Sequence, residues 1–231
     1  MRAALAIAAA WAIYATPVAS LTFTPGNEAG SVIFAEGAIE AGDAETLFDL
    51  VHDDETITHV VFQSGGGSVV EALRIGRLIR SFDMNTLVEP DGHCLSACFF
   101  AFAGGVDRGV PATAQLGVHQ FSGTGEGETA ERAQALAQTL TAELLAYVDE
   151  MGLDVGVMAA ALRTAPHDMH VFSRAELEQL SIDPLAVRMT EDAADDCPFP
   201  SEHTDIRDSF GWYPQCADRP GYRGPAYHSG G

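Results

Sequence analysis

The chain contains no lysine. All 12 of its basic residues are arginines, set against 33 Asp and Glu in 231 residues, for a formal net charge of −21. A Walker-type phosphate loop needs its lysine. Schiff-base chemistry needs an amine nucleophile, and a Ser-Lys hydrolase an amine base. None of these can be built from this chain alone. So little positive charge also excludes a surface that displaces counterions from nucleic acid. Long apolar runs are scarce too. Only Ala3 to Ala15 forms one, and it is short for a membrane span of ~20 residues. Cysteine is limited to Cys94, Cys98, Cys197 and Cys216.

The apolar run follows Arg2 and ends in Thr16-Pro17-Val18-Ala19-Ser20. Val18 and Ser20 fit the −3 and −1 positions of a cleavage site. Residues 1–20 are therefore expected to be a signal peptide, leaving no stable membrane span and a periplasmic or secreted product. Four cysteines in an exported chain suggest two disulfides with three formal connectivities. A hydrophobic content of 47% excludes wholesale disorder, and the remaining length suffices for one core with an appendage.

Strand and helix patterns alternate, which predicts an α/β fold. Residues 31–39 and Thr58 to Phe62 read as β segments, and Thr86 to Val88 and Gln115 to His119 as further strands. Ala44 to Val51, Ser68 to Phe82, Ser96 to Gly104, Glu128 to Met151, Val155 to Arg163 and Ser173 to Leu180 read as helices. Arg74, Arg77 and Arg80 form a stripe expected to be a solvated helix face. Ser173 with Glu176 has the capping-box pattern. Gly123 to Gly127 reads as a glycine-rich, mobile loop. The domain expected over 21–183 gives way to a proline-containing appendage over 184–231, where Cys197 and Cys216 bracket a loop.

Two local features bear on chemistry. Gly65-Gly66-Gly67 follows a strand, and Cys94-Leu95-Ser96-Ala97-Cys98 opens a helix. A serine there is ordinarily a helix cap. Together, though, a glycine turn and the amide after a nucleophilic serine can form an oxyanion hole. With no lysine, histidine is the leading base, and His119 closes a predicted strand. Asp168, ahead of a β-like segment, is either a turn residue or the acid that orients the base. A metal centre from His93, His119, His167 and His170 with Asp168 is the other chemical option. His167 and His170 lack the i, i+4 spacing of a helical zinc pair; no metal and no cofactor is expected.

Val61-Phe62-Gln63-Ser64-Gly65-Gly66-Gly67, Glu71-Ala72-Leu73, Cys94-Leu95-Ser96-Ala97-Cys98 and Gly117-Val118-His119-Gln120 together resemble the ClpP-like and crotonase superfamily, closest to its exported ClpP-like serine peptidases. The resemblance spans about residues 30–183. It implies a ClpP/crotonase-like spiral of ββα units. It also implies Ser96 as nucleophile, His119 as general base, Asp168 as its orienter, and Gly66, Gly67 and Ala97 as oxyanion-hole donors. It implies a homo-oligomer assembled through the 128–151 helix and a peptide or protein substrate. The expected function is an exported serine hydrolase, a peptidase. The alternative is a catalytically inactive ClpP-like peptide-binding or scaffold protein, since one fold hosts both. A crotonase-type thioesterase is disfavoured, because only the arginine stripe offers basic residues near the glycine turn.

Overall fold

The computed structural model describes residues 20–26, 31–121 and 129–182. Most of the expected signal peptide, the Gly123 to Gly127 loop and the 184–231 appendage, with Cys197 and Cys216, lie outside the described residues. In chain order these comprise β1 (Thr22–Pro25), β2 (Val32–Glu36), α1 (Asp43–Asp53), β3 (His59–Gln63), α2 (Val69–Ser81), β4 (Asn85–Val88), β5 (His93–Leu95), α3 (Cys98–Ala103), β6 (Arg108–Gly109), β7 (Gln115–Val118), α4 (Ala130–Glu150), α5 (Gly156–Arg163), β8 (His170–Val171) and α6 (Arg174–Gln179). No helix among them is long and apolar enough to cross a membrane.

The fold is mixed α/β. A five-stranded sheet has the order β1-β2-β3-β4-β6, and a three-stranded sheet the order β5-β7-β8. β2, β3, β4 and β6 run parallel, with β1 antiparallel at the edge. β5 and β7 are parallel, and β8 is antiparallel to β7. Parallel strands covered on both faces read as continuous apolar runs, as Val60-Val61-Phe62 does. Val60 and Phe62 face the main core, while Val61 joins Val32 and Leu87 in a small cluster on the other face. β1, β5 and β6 were not anticipated. They are four residues or fewer, too short to show a two-residue period.

Ser68 caps α2 through the Glu71 amide, and Ser173 and Glu176 form the reciprocal capping box of α6. The arginine stripe is not a simple solvated face. Arg77 donates to Glu143 at 2.8 Å and Glu150 at 3.0 Å on α4, and lies over the Tyr147 ring. Arg80 donates to the carbonyls of Gly104 and Gly105, both at 2.8 Å. Only Arg74 is largely exposed.

These contacts seat α3, whose six residues are all buried. The last carbonyls of a helix have no partner within it, so a buried helix end needs donors from elsewhere. Here Tyr147 donates to the Phe100 carbonyl at 2.6 Å, and Thr86 to that of Phe102 at 2.6 Å. Arg108 adds the Gly105 carbonyl at 2.9 Å and reaches the carbonyls of Ser181 and Ile182, each at 2.9 Å. α4 is buried only in its second half, through Leu144, Tyr147 and Val148, with Met151 just beyond. In its first half Leu136 is 55% exposed.

Candidate active site

β5 and α3 carry the centre of the site between them. Cys94 lies on β5 and Cys98 is the first residue of α3, and the two form a disulfide with a Cα–Cα distance of 5.2 Å. Ser96 sits in the turn they enclose, at φ 58°. That left-handed conformation is uncommon for a residue with a Cβ and is found at functional turns. Ser96 is not the helix cap. Ala97 is the N-cap and makes no side-chain cap bond. The Ser96 hydroxyl instead lies 2.6 Å from Nε2 of His119.

His119 reaches Ser96 because β7 runs parallel to β5, pairing Leu95 with Gly117, and the Ser96 amide donates to the Gly117 carbonyl at 2.9 Å. Gly117 is required there. A Cβ would stand 2.9 Å from the His170 carbonyl and 3.0 Å from the Leu95 side chain. For Nε2 to accept a proton from Ser96, the ring's own proton must sit on Nδ1. That Nδ1 atom is buried and has no hydrogen-bond partner among the described residues.

Asp168 does not fill that role in this arrangement. Its side chain is 66% exposed, and His167 Nε2 lies 3.8 Å from its carboxylate. The pairing of Val118 with His170 explains this. That pairing ends at Val118 and His170, so Asp168 lies outside it, and the Gln120 amide donates instead to the Thr164 carbonyl at 2.9 Å. The loop then departs from strand geometry, with the Asp168 amide donating to the Ala165 carbonyl at 2.9 Å.

The glycine turn packs directly on the serine turn. A Cβ on Gly66 would lie 2.8 Å from the Ser96 Cβ and 2.9 Å from the Ala97 nitrogen. Gly66 and Gly67 have φ of 100° and 145°, values that favour glycine. The three expected oxyanion donors are not equivalent. The Gly66 amide is engaged, donating to Ser64 Oγ at 3.1 Å. The Gly67 and Ala97 amides have no acceptor among the described residues. Ser64 itself is buried and forms a parallel bridge with Cys94, a connection that no sequence period signals.

Ser96 and His119 open onto a small cleft of about 10 Å³, room for roughly one water. Its walls are apolar and include Val69, Phe100, Phe121, Leu144, Met158 and Leu162. The remaining histidines disperse. His170 pairs with Glu176 at 2.9 Å, and His167 is largely exposed. Among the described residues no three His, Cys, Asp or Glu side chains converge on a metal-sized position. No protein-family model and no curated protein matches the chain.

Proposed function

We propose that this chain is an exported serine hydrolase that cleaves peptide bonds, built on a ClpP/crotonase-like fold. The observation that supports this reading best is the 2.6 Å approach of the Ser96 hydroxyl to His119 Nε2, from a left-handed turn. The amides of Ala97, next in the chain, and of Gly67, next to the Gly66 that packs on Ser96, have no acceptor among the described residues. In the first step Ser96 Oγ attacks the substrate carbonyl carbon and its proton passes to His119 Nε2. The carbonyl electron pair moves onto oxygen, facing the Gly67 and Ala97 amides. Collapse of the adduct breaks the C–N bond, and His119 returns the proton to the leaving amine. Water, deprotonated by His119, then attacks the acyl ester, releasing the acid and restoring the serine.

Export to the periplasm or the exterior fits the Cys94–Cys98 disulfide, because reducing compartments seldom retain one. Assembly of copies through α4 fits its exposed first half, Leu136 included. A fluorophosphonate probe tests the enzyme reading. Stoichiometric labelling at Ser96, abolished in Ser96→Ala, is the expected result; an unlabelled folded wild type rejects it.

One observation favours the second reading, an inactive peptide-binding or scaffold protein. The His119 Nδ1 atom has no hydrogen-bond partner among the described residues, which leaves the required tautomer without support there. Capture of peptides by an unlabelled wild type would establish that reading in place of the first.

A further inference from the structure

We propose that the Cys94–Cys98 bond is a positioning element for catalysis, holding the Ser96 hydroxyl on His119 and the Ala97 amide at the oxyanion position. This rests on the hydrolase reading above.

Both cysteines are fully buried and only four positions apart, so the bond closes a ring around the nucleophile itself. The two ends of α3 are held differently. Its C-terminal carbonyls are taken up by Tyr147, Thr86, Arg80 and Arg108. Its N-terminal end has no side-chain cap. Among the contacts that hold the turn there are the Ser96 amide on Gly117, the Leu95 amide on the Ser64 carbonyl at 3.0 Å, and the disulfide. The two hydrogen bonds fix residues 95 and 96 on the strand side. The Phe99 amide adds a bond to the Ser96 carbonyl at 3.1 Å, and the disulfide is the covalent tie from the far side of the turn back to β5.

A serine at φ 58° has lower-energy alternatives in the β and right-handed regions. Relaxation into either would rotate the hydroxyl away from His119 and swing the following Ala97 amide with it. The covalent ring removes that freedom. It also keeps Ala97 against Gly66, where no Cβ fits. Pre-organisation of this kind acts on the rate of the chemical step, because a misplacement of about 1 Å costs ~100-fold.

The test compares wild type with Cys94→Ala/Cys98→Ala and Cys94→Ser/Cys98→Ser, using the fluorophosphonate probe on the full-length chain. Wild type reduced by a phosphine is the third comparison, since it keeps every side chain. Labelling is expressed per folded molecule, from near-ultraviolet circular dichroism. The expected result is a maximal labelling rate about 100-fold lower with little change in the concentration for half-maximal rate. The rise of labelling with pH should also flatten towards that of His119→Ala. Equal labelling per folded molecule in all preparations overturns the proposal. So does loss of labelling in strict proportion to loss of fold in all three, which would make the bond a stability element. Failure of wild type to label is a different result: it removes the hydrolase reading, and this inference with it.

Discussion

The hydroxyl of Ser96 and Nε2 of His119 stand 2.6 Å apart although their residues come from different strand ends. Groups that act as one unit are strongly non-additive when removed. Ser96→Ala and His119→Ala should each lower hydrolysis of p-nitrophenyl acetate by about 10³-fold or more. The double variant should be little worse than either single one. Additive losses would show that the two side chains do not cooperate.

Gly66 is the point where the glycine turn and the serine turn meet. An alanine there would place its Cβ 2.7 Å from the Leu95 carbonyl and 2.8 Å from the Ser96 Cβ, at a φ of 100°. Backbone lies on the other side of the contact, so no flexible side chain can yield. Gly66→Ala is expected to lose about 2 kcal/mol of stability or more and nearly all fluorophosphonate labelling. Gly65→Ala is the control, because nothing lies within 4 Å of its added Cβ. Its labelling should stay near that of wild type.

Sequence made the long elements legible, and the residues that join them much less so. α2 follows its apolar spacing because Ala72, Leu73, Gly76 and Ile79 all turn to one core. α4 shows the same spacing, yet only its second half finds a partner surface, which periodicity cannot foresee. Ser96 and His119 were singled out by residue type and by the family resemblance, and the structure brings their side chains together. Their contact depends on β5, a three-residue strand with no readable period. Asp168 was placed by its position in the chain, whereas the chain there forms a turn outside the β7–β8 pairing, with its amide on the Ala165 carbonyl. The role of Arg80 was hidden because a guanidinium that donates to backbone carbonyls leaves no side-chain pattern to find in the sequence.

Tyr147 links α4 directly to α3, the helix that follows Ser96. Its hydroxyl donates to the Phe100 carbonyl, and a Cβ on Gly76 would run into it. Burial raises its pKa well above that of free tyrosine, so it remains a donor throughout the neutral range. Tyr147→Phe keeps the ring and leaves the Phe100 carbonyl without that donor. A loss of about 1–2 kcal/mol is expected from urea unfolding. No loss would mean that another donor replaces the hydroxyl.

Glu89 follows β4 and is aligned through Gln63 with Glu36. Burial, and then the charge of Glu36, hold its pKa above the usual carboxylate value. A raised acid is penalised in the folded chain whenever it is ionised. Its penalty is complete above the folded pKa and disappears below the unfolded one. Glu89→Gln should therefore melt higher than wild type at pH 7, with the advantage fading as the pH falls through the carboxylate range. A variant that melts lower at pH 7 would contradict this.

Glu176 has the opposite sign. The Ser173 amide at 2.8 Å, and then the Ser173 hydroxyl at 2.7 Å, hold its carboxyl below the usual value; His170 adds to this from 2.9 Å. A depressed acid contributes stability that is complete above the unfolded pKa and lost as the pH falls through the folded one. The group is partly exposed, so the effect is modest. It acts where α6 follows β8, the strand paired with the one leading to His119. Glu176→Gln should melt below wild type at pH 7, and the two should converge once wild-type Glu176 is itself protonated. Hydrogen exchange locates the effect: amides of α6 and β8 should lose protection in the variant, while those of β3 stay unchanged. Equal loss across all three elements would make Glu176 a determinant of global stability, with no local hold on the strand beside His119.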